Sequence, residues 1–333
     1  MVHASSAPPS PAPVVDLWDL HQKTEAEWRA ILATRPEEAV AWIRLAAGKG
    51  FKAAQLVLGQ MHLDGHGVAR DPDAAYRWFV KAAAIGSLDA RNMVGRCHEL
   101  GWGVPVDHAE ALVHYRKAAA AGLAWGRYNV GCLLLYGTGI GRDHVGAFRH
   151  LAAASEQGHA KAAGMLGRCF EEGWGTPVDR AAAARLYRRA AAGGDCWGAL
   201  NLALILAESG NEAEAAVFVE RARVTASPNC LDVIARTLVR HPSAAIASTA
   251  RAVQDAHGGA GVPGRPAEAG RPDPRPPGAE ADGSGRTGSL PPGWLRLAVV
   301  FGAALQTTLG LRRFRTSGAA GRPETAARAS GRS

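Results

Sequence analysis

The chain has 333 residues, 47% of them hydrophobic, which is enough for one large core or for a stacked array of small units. Its formal net charge is +8, but residues 257–333 carry +6 of this charge and residues 1–256 only +2. A body with so little excess charge is not expected to offer a broad face to nucleic acid.

The N-terminal sequence and the cysteines indicate a reducing compartment. Residues 1–14 are expected to be disordered, and they lack the basic segment followed by an apolar one that marks a secretory signal. The chain has five cysteines, an odd number, and none are spaced as C-x-x-C. We therefore expect free, buried thiols and a cytoplasmic location.

A period of 36 residues dominates the next part of the chain. Three columns of this period hold the same residue in four successive copies: Gly65, Gly101, Gly137 and Gly173; Gly67, Gly103, Gly139 and Gly175; Asp71, Asp107, Asp143 and Asp179. Gly59 and Gly86 each begin a further column with the same step. Such regularity over four copies predicts a repeat architecture.

Each copy is predicted to form two helices joined by a tight turn. The first helix is Ala- and Leu-rich, with apolar residues three and four apart. Gly101 suits the left-handed residue that ends a helix, Gly103 permits a second turn, and Asp107 suits an N-cap with Glu110 as its capping-box partner. A phosphate-binding loop would need a preceding strand and a following Lys-Ser/Thr pair, which are missing. We interpret the glycine and aspartate columns as structural joints.

The segment "LGQMHLDGHGVARDPDAAYRWFVKAAAIG" (58–86) and its three successors resemble the Sel1-like repeat family of tetratricopeptide-like helical proteins. The resemblance implies an all-α, right-handed α-solenoid of 36-residue helix–turn–helix repeats, with about six helix pairs and a disordered C-terminal tail. The four repeats are 54–89, 90–125, 126–161 and 162–197. Residues 15–53 match a degenerate N-terminal repeat or cap, and residues 198–256 match a degenerate repeat with capping helices.

The resemblance also implies a protein-binding surface on the first helices, which line the concave face of related arrays. The candidate stripe consists of Asn92, Arg96, Glu99, Trp125, Tyr128, Arg168, Glu171 and Trp197. Trp102 and Trp174, in two of the joints, are candidate loop contacts. Duplication of a two-repeat unit without any role in binding, and an ordinary half-buried helix face, are open alternatives. The predicted function is a non-enzymatic scaffold or adaptor for a protein or peptide partner.

No motif for catalysis or metal binding is present. The sequence lacks H-E-x-x-H, G-x-S-x-G, G-x-x-x-x-G-K-[ST] and any Cys/His cluster with zinc spacing. We therefore expect no enzymatic activity, cofactor, metal or small-molecule substrate. An enzyme or enzyme subunit is the less favoured alternative.

The C-terminal segment differs in composition from the repeats. Residues 257–292 contain 8 prolines and 9 glycines, so residues 257–294 are predicted to be a disordered linker. Residues 295–333 form a basic tail with an uncharged stretch at 297–311, shorter than the roughly 20 residues that span a bilayer. This stretch could dock on a protein, lie in a membrane interface, or have no role. A membrane-associated or envelope adaptor tethered through residues 295–315 is the alternative function.

Overall fold

The computed structural model describes residues 34–137 and 139–226, together with Glu27, Ile31, Leu238 and Ala247. In this part of the chain it has eleven α-helices and no strand. They are α1 (Pro36–Gly48), α2 (Lys52–Asp64), α3 (Pro72–Ala84), α4 (Leu88–Leu100), α5 (His108–Ala120), α6 (Ala124–Tyr136), α7 (His144–Glu156), α8 (Ala160–Glu172), α9 (Arg180–Ala192), α10 (Cys196–Glu208) and α11 (Glu212–Thr225). The predicted all-α fold class is confirmed.

The helices follow one another as a single helix and five pairs. The first helix of each pair begins 36 residues after the previous one, and α1, α3, α5, α7 and α9 keep the same interval. Each helix packs mainly against its neighbours in sequence, which gives an α-solenoid. The predicted segments 1–14, 257–294 and 295–333 lie outside the described residues, as do the proposed capping helices beyond residue 226, apart from two single positions.

The two helices of a pair approach closely at a glycine. A Cβ atom on Gly95 of α4 would lie 2.7 Å from ring carbons of Tyr115 on α5, which is too short for a carbon–carbon contact. The three other repeats have the same arrangement: Gly59 against Phe79, Gly131 against Leu151, and Gly167 against Tyr187. These four second-helix side chains are completely buried. The glycine column of the sequence therefore marks the core of each pair.

The joint between the helices uses each of its repeated residues differently. Gly101 ends α4 with a φ of 72°, and its N–H donates to the carbonyl of Cys97. Gly103 also has a positive φ, and a Cβ there would lie 2.2 Å from the carbonyl oxygen of Pro72 in the preceding repeat. Asp107 caps α5 by accepting from the N–H of Glu110 at 2.9 Å. The first glycine thus ends a helix, and the second lets one repeat rest on the previous one.

The predicted capping box is not formed. The N–H of Asp107, which a reciprocal box would satisfy with the Glu110 carboxylate, donates to the carbonyl of His98 at 2.8 Å. The Glu110 side chain lies 3.2 Å from Nε2 of His114, one turn further along α5. Because the first helix already supplies an acceptor for the cap N–H, Glu110 has no role in closing the joint.

Hydrogen bonds between repeats satisfy carbonyls at the ends of the second helices, which lack partners within their own helix. Side chains at the same position of three successive first helices reach back to the preceding helix: Gln55 to Ala47, Arg91 to Ala83, and Arg127 to Ala119. This position holds alanine in the two later first helices, at Ala163 and Ala199. This first-helix link is therefore confined to the N-terminal half of the array; further along, Arg189 of α9 donates to the carbonyl of Ser155 at the end of α7.

We expect Gly95→Ala to lower the free energy of unfolding by about 1–3 kcal/mol, because the added methyl group must displace the buried Tyr115 ring. Gly48→Ala is the matched control, since nothing lies within 4 Å of a methyl group at that position at the end of α1. The control should leave stability unchanged or raise it by up to about 1 kcal/mol. Urea unfolding followed by circular dichroism measures both. Equal effects of the two substitutions would contradict the close-approach explanation.

Candidate functional site

The predicted first-helix stripe is only partly accessible. Trp125 is 43% exposed to solvent, whereas Asn92 is only 7% exposed and Tyr128 only 4%. Asn92 accepts a hydrogen bond from Asn129 on the next first helix at 2.9 Å. The other members of the stripe are partly buried: Arg96, Glu99, Arg168, Glu171 and Trp197. Asn92 and Tyr128 therefore pack against neighbouring repeats, and the accessible stripe is narrower than predicted.

The structure joins the stripe to the loop residues that the sequence treated separately. The guanidinium of Arg96 lies over the ring of Trp102, 4.8 Å from its centroid, and Arg168 lies over Trp174 at 5.0 Å. An arginine over an indole face is an attractive cation–π contact. Each tryptophan is thereby held against the end of its own first helix. The array therefore contains two equivalent Arg–Trp units, which are 72 residues apart in sequence.

The glutamates of the stripe have a structural partner. Glu99 accepts a hydrogen bond from the hydroxyl of Tyr115 at 2.5 Å, and Glu171 accepts one from Tyr187 at 2.8 Å. The repeats without this tyrosine have leucine at the glutamate position: Leu63 with Phe79, and Leu135 with Leu151. A carboxylate thus occurs only where the buried ring carries a hydroxyl. Burial, and then the charge of Glu99, raise the pKa of Tyr115 well above its ordinary value.

Aromatic and cationic side chains form a cluster where α6 meets α8. The ring of His159 stacks on Tyr128 with centroids 4.9 Å apart, and it meets Trp125 edge-on at 4.3 Å. The ammonium of Lys161 lies 5.7 Å from the centre of the Trp125 ring. Trp125 and Lys161 are exposed, so the cluster presents an indole and a cation to solvent beside the packed rings of Tyr128 and His159.

His159 is held in its neutral form. Its Nδ1 accepts from the N–H of Ala162 at 3.1 Å and caps α8, so the ring proton must be on Nε2. Burial, and then the charge of Lys161, lower the pKa of His159 to about 4. Protonation would turn the accepting nitrogen into a donor and abolish the cap. His159 is therefore a positioning residue for the Trp125 surface.

A buried carboxyl group borders the same cluster. Asp195 caps α10 by accepting from the N–H of Gly198 at 3.0 Å, and burial raises its pKa. A Cβ on Gly164 would lie 2.6 Å from this carboxyl group, so the glycine makes room for it. Sequence reasoning missed His159 and Asp195. Their shared position, 36 residues apart at the start of a first helix in the column of Ser87, was the available signal.

The described residues offer little reactive chemistry. They contain no group of three or more His, Cys, Asp or Glu side chains placed to hold a metal ion. Cys97, Cys132 and Cys169 are unpaired and buried, and burial raises the pKa of each thiol to about 12. Such thiols are protonated at neutral pH and are poor nucleophiles. No helix in the described part combines the length and apolar character needed to cross a bilayer.

Comparison with known proteins identifies the repeat. The family model described as "Sel1 repeat" matches residues 34–51, 52–87, 88–123, 126–159 and 160–195. A search of curated proteins gave no match.

Two solved bacterial structures share the fold. One is c5321, a protective antigen of uropathogenic Escherichia coli with an SLR fold (27% identity, TM-score 0.53). The match covers 72% of this chain and 56% of that one, so this chain spans just over half of the antigen's length. The other is a Sel1 repeat protein from Oxalobacter formigenes (23% identity, TM-score 0.59), with 70% of this chain and 100% of that one covered.

Tyr115→Phe and Glu99→Leu should each lower the free energy of unfolding by about 1–2 kcal/mol, since each leaves a polar group without its partner. The double variant recreates the Leu63–Phe79 pair of the first repeat. Its loss of unfolding free energy should therefore be smaller than the sum of the two single losses by about 1 kcal/mol or more. A double-mutant cycle in urea measures this coupling. Strictly additive losses would show that the two side chains act independently.

Protonation of His159 should destabilise the fold at acidic pH. His159 takes up its proton near the ordinary pKa of 6.5 in the unfolded state but only near 4 in the folded state. The free energy of unfolding therefore rises with pH between these two values, and the contribution of neutral His159 is complete above pH 6.5. His62, His114 and His150, whose pKa values burial also lowers, contribute with the same sign.

His159→Asn keeps a capping acceptor without the titrating group. It should therefore remove about 1–2 kcal/mol of the pH dependence in this window. Unfolding free energies of the wild type and the variant, measured from pH 4 to pH 7, give the difference. His159→Ala is the control, which should lose about 1 kcal/mol at neutral pH because the cap itself is lost. An unchanged pH slope in the asparagine variant would contradict the assignment.

Proposed function

Because the chain belongs to the Sel1 repeat family, whose members generally mediate protein–protein interactions, we propose that it is a non-enzymatic scaffold or adaptor for a protein or peptide partner. The single observation that supports this most directly is Trp125. Its indole is 43% exposed on a first helix and is held in place by His159 below it. A large, rigid aromatic group of this kind is the residue type that contributes most to protein interfaces.

The proposed binding surface is the first-helix face, defined as Arg96, Trp102, Trp125, Lys161, Arg168, Trp174 and Trp197. It combines two Arg–Trp units with the exposed cluster between them. Tryptophan and arginine are enriched among the residues that dominate binding energy. By resemblance to related arrays, this face would be the concave one, and an extended segment would run across successive first helices.

Two features of the first-helix face favour a polypeptide ligand. Glu99 and Glu171 beside the face each accept a hydrogen bond from a tyrosine hydroxyl of their own repeat, while the face itself offers cations and indole rings. Such groups can contact backbone carbonyls, carboxylates and apolar side chains of a peptide together. Successive first helices are about 10 Å apart, so a partner contacting Trp125 and Trp197 would span several residues.

We further propose a cytoplasmic location. Cys97, Cys132 and Cys169 are unpaired, and unpaired buried thiols fit a reducing compartment. The alternative of a membrane or envelope adaptor tethered through residues 295–315 concerns residues that the structure does not describe. Sedimentation of the full chain with lipid vesicles, lost on deletion of residues 257–333, would support that alternative.

Photocrosslinking tests the first-helix face. We expect full-length protein carrying benzoylphenylalanine in place of Trp125, produced in the organism's own cells, to crosslink to a specific protein. The same group in place of Val217, which is 64% exposed on α11, is the matched control and should not capture that protein. Trp125→Ala with Arg168→Ala should then weaken binding of the captured protein by about 10-fold or more. Equal capture from both positions, or capture from Val217 alone, would contradict the proposed face.

A further inference from the structure

The outer faces of the second helices carry a row of like charges. Positions 77, 80 and 81 of α3 lie three and four residues apart and so share one face of the helix. Together with the equivalent positions of α1, α5, α7 and α9 they make fifteen positions, of which nine are Arg or Lys and none is Asp or Glu. All nine cations are exposed. We call these fifteen positions the second-helix basic face.

Most of these cations form no ion pair with Asp or Glu within the described part of the chain. Arg77, Arg116, Lys117, Arg149 and Arg185 form no hydrogen bond or ion pair there. Among the other four cations, Arg188 pairs with Glu214 at 2.7 Å, Arg189 donates to the carbonyl of Ser155, and Lys81 lies over Trp78. Most of the positive charge on this face is therefore left without an ion pair inside the described part of the chain.

The row is not purely charged. The six other positions are apolar, and two of them, Val80 and Val113, are each 40% exposed. Val113 occupies the column of Arg77 and Arg149, and Val80 that of Arg116. The face therefore combines its cations with two exposed valines. A partner that matches it needs both carboxylates and apolar groups at the spacing of the helices.

We propose that the second-helix basic face binds an acidic polypeptide segment that carries both Asp or Glu and aliphatic side chains on one side. Nucleic acid fits less well. The fifteen positions contain no aromatic residue on which a base could stack, and residues 1–256 carry a net charge of only +2. The face lies on the other helix of each pair from Trp125, so it is independent of the first-helix face and can be tested separately.

The test uses full-length protein and a labelled 20-residue peptide of repeated Glu-Glu-Leu-Leu, which presents both residue types on each side of an extended chain and carries a photoreactive diazirine. Fluorescence anisotropy measures binding, and mass spectrometry locates the crosslinks. Arg77→Gln with Arg116→Gln and Arg149→Gln removes three charges from the face. Lys49→Gln with Lys52→Gln and Arg221→Gln removes three exposed charges elsewhere and is the matched control.

We expect crosslinks on α3, α5, α7 and α9. Affinity for the peptide should be about 10-fold lower in the face variant and within about twofold of wild type in the control variant. Binding should also weaken at high salt. A matching peptide of Gln and Leu should not bind. The proposal is overturned if crosslinks fall only on residues 257–333 or on the first helices, or if both variants lose affinity equally. Preference for a single-stranded DNA of similar length, or displacement of the peptide by self-association of the protein, would also overturn it.

Discussion

The contact between a glycine of each first helix and a buried side chain of the second helix sets the geometry of the array. Gly95 and Tyr115 illustrate it, since there is no room for even one methyl group between them. Because both helices of a pair are held at this short distance, the two chain ends of the joint are fixed. The αL glycine, the second glycine and the aspartate cap then have only one way to connect them. Solenoid stacking follows, since the second joint glycine, at Gly103, Gly139 and Gly175, rests on the preceding repeat.

The alternation of repeats has a physical origin in the same contact. Where the buried side chain is a tyrosine, its hydroxyl needs an acceptor, and glutamate on the first helix supplies one. Where it is phenylalanine or leucine, the position opposite is leucine. The 72-residue similarity therefore reflects, in part, the chemistry of a buried hydroxyl. Trp125 and the two Arg–Trp units are not explained in this way, and they remain the candidates for recognition.

The fold was predictable because its markers have single steric causes. A left-handed residue favours glycine and an N-cap favours aspartate, so columns of both residues indicate the joints without any structure. Exposure on the first helices was not predictable. A spacing of three and four residues shows which face of a helix a side chain lies on, but not how deeply the neighbouring repeats bury it. Tyr128 is buried by His159, the N-cap residue of the next first helix, and Asn92 by Asn129. Glu110 is likewise not the predicted capping partner, because the N–H of Asp107 donates to the carbonyl of His98 and the Glu110 carboxylate lies beside His114.

The pairing of Glu99 with Tyr115, and of Arg96 with Trp102, is internal to one repeat. Each such repeat therefore contains both partners of these interactions. Its gain or loss during evolution leaves no hydroxyl without an acceptor, and no indole without its arginine, in the neighbouring repeats. Asn92 and Asn129 are different, since their bond crosses a boundary and would be broken by a cut between them. The boundary after the second Arg–Trp unit is crossed by exposed ion pairs, Arg180 with Glu208 and Arg188 with Glu214, and such pairs are lost at little cost in stability. Genetic changes in array length are therefore tolerated best at that boundary. Growth or shrinkage of the recognition surface is expected to occur at that end of the gene.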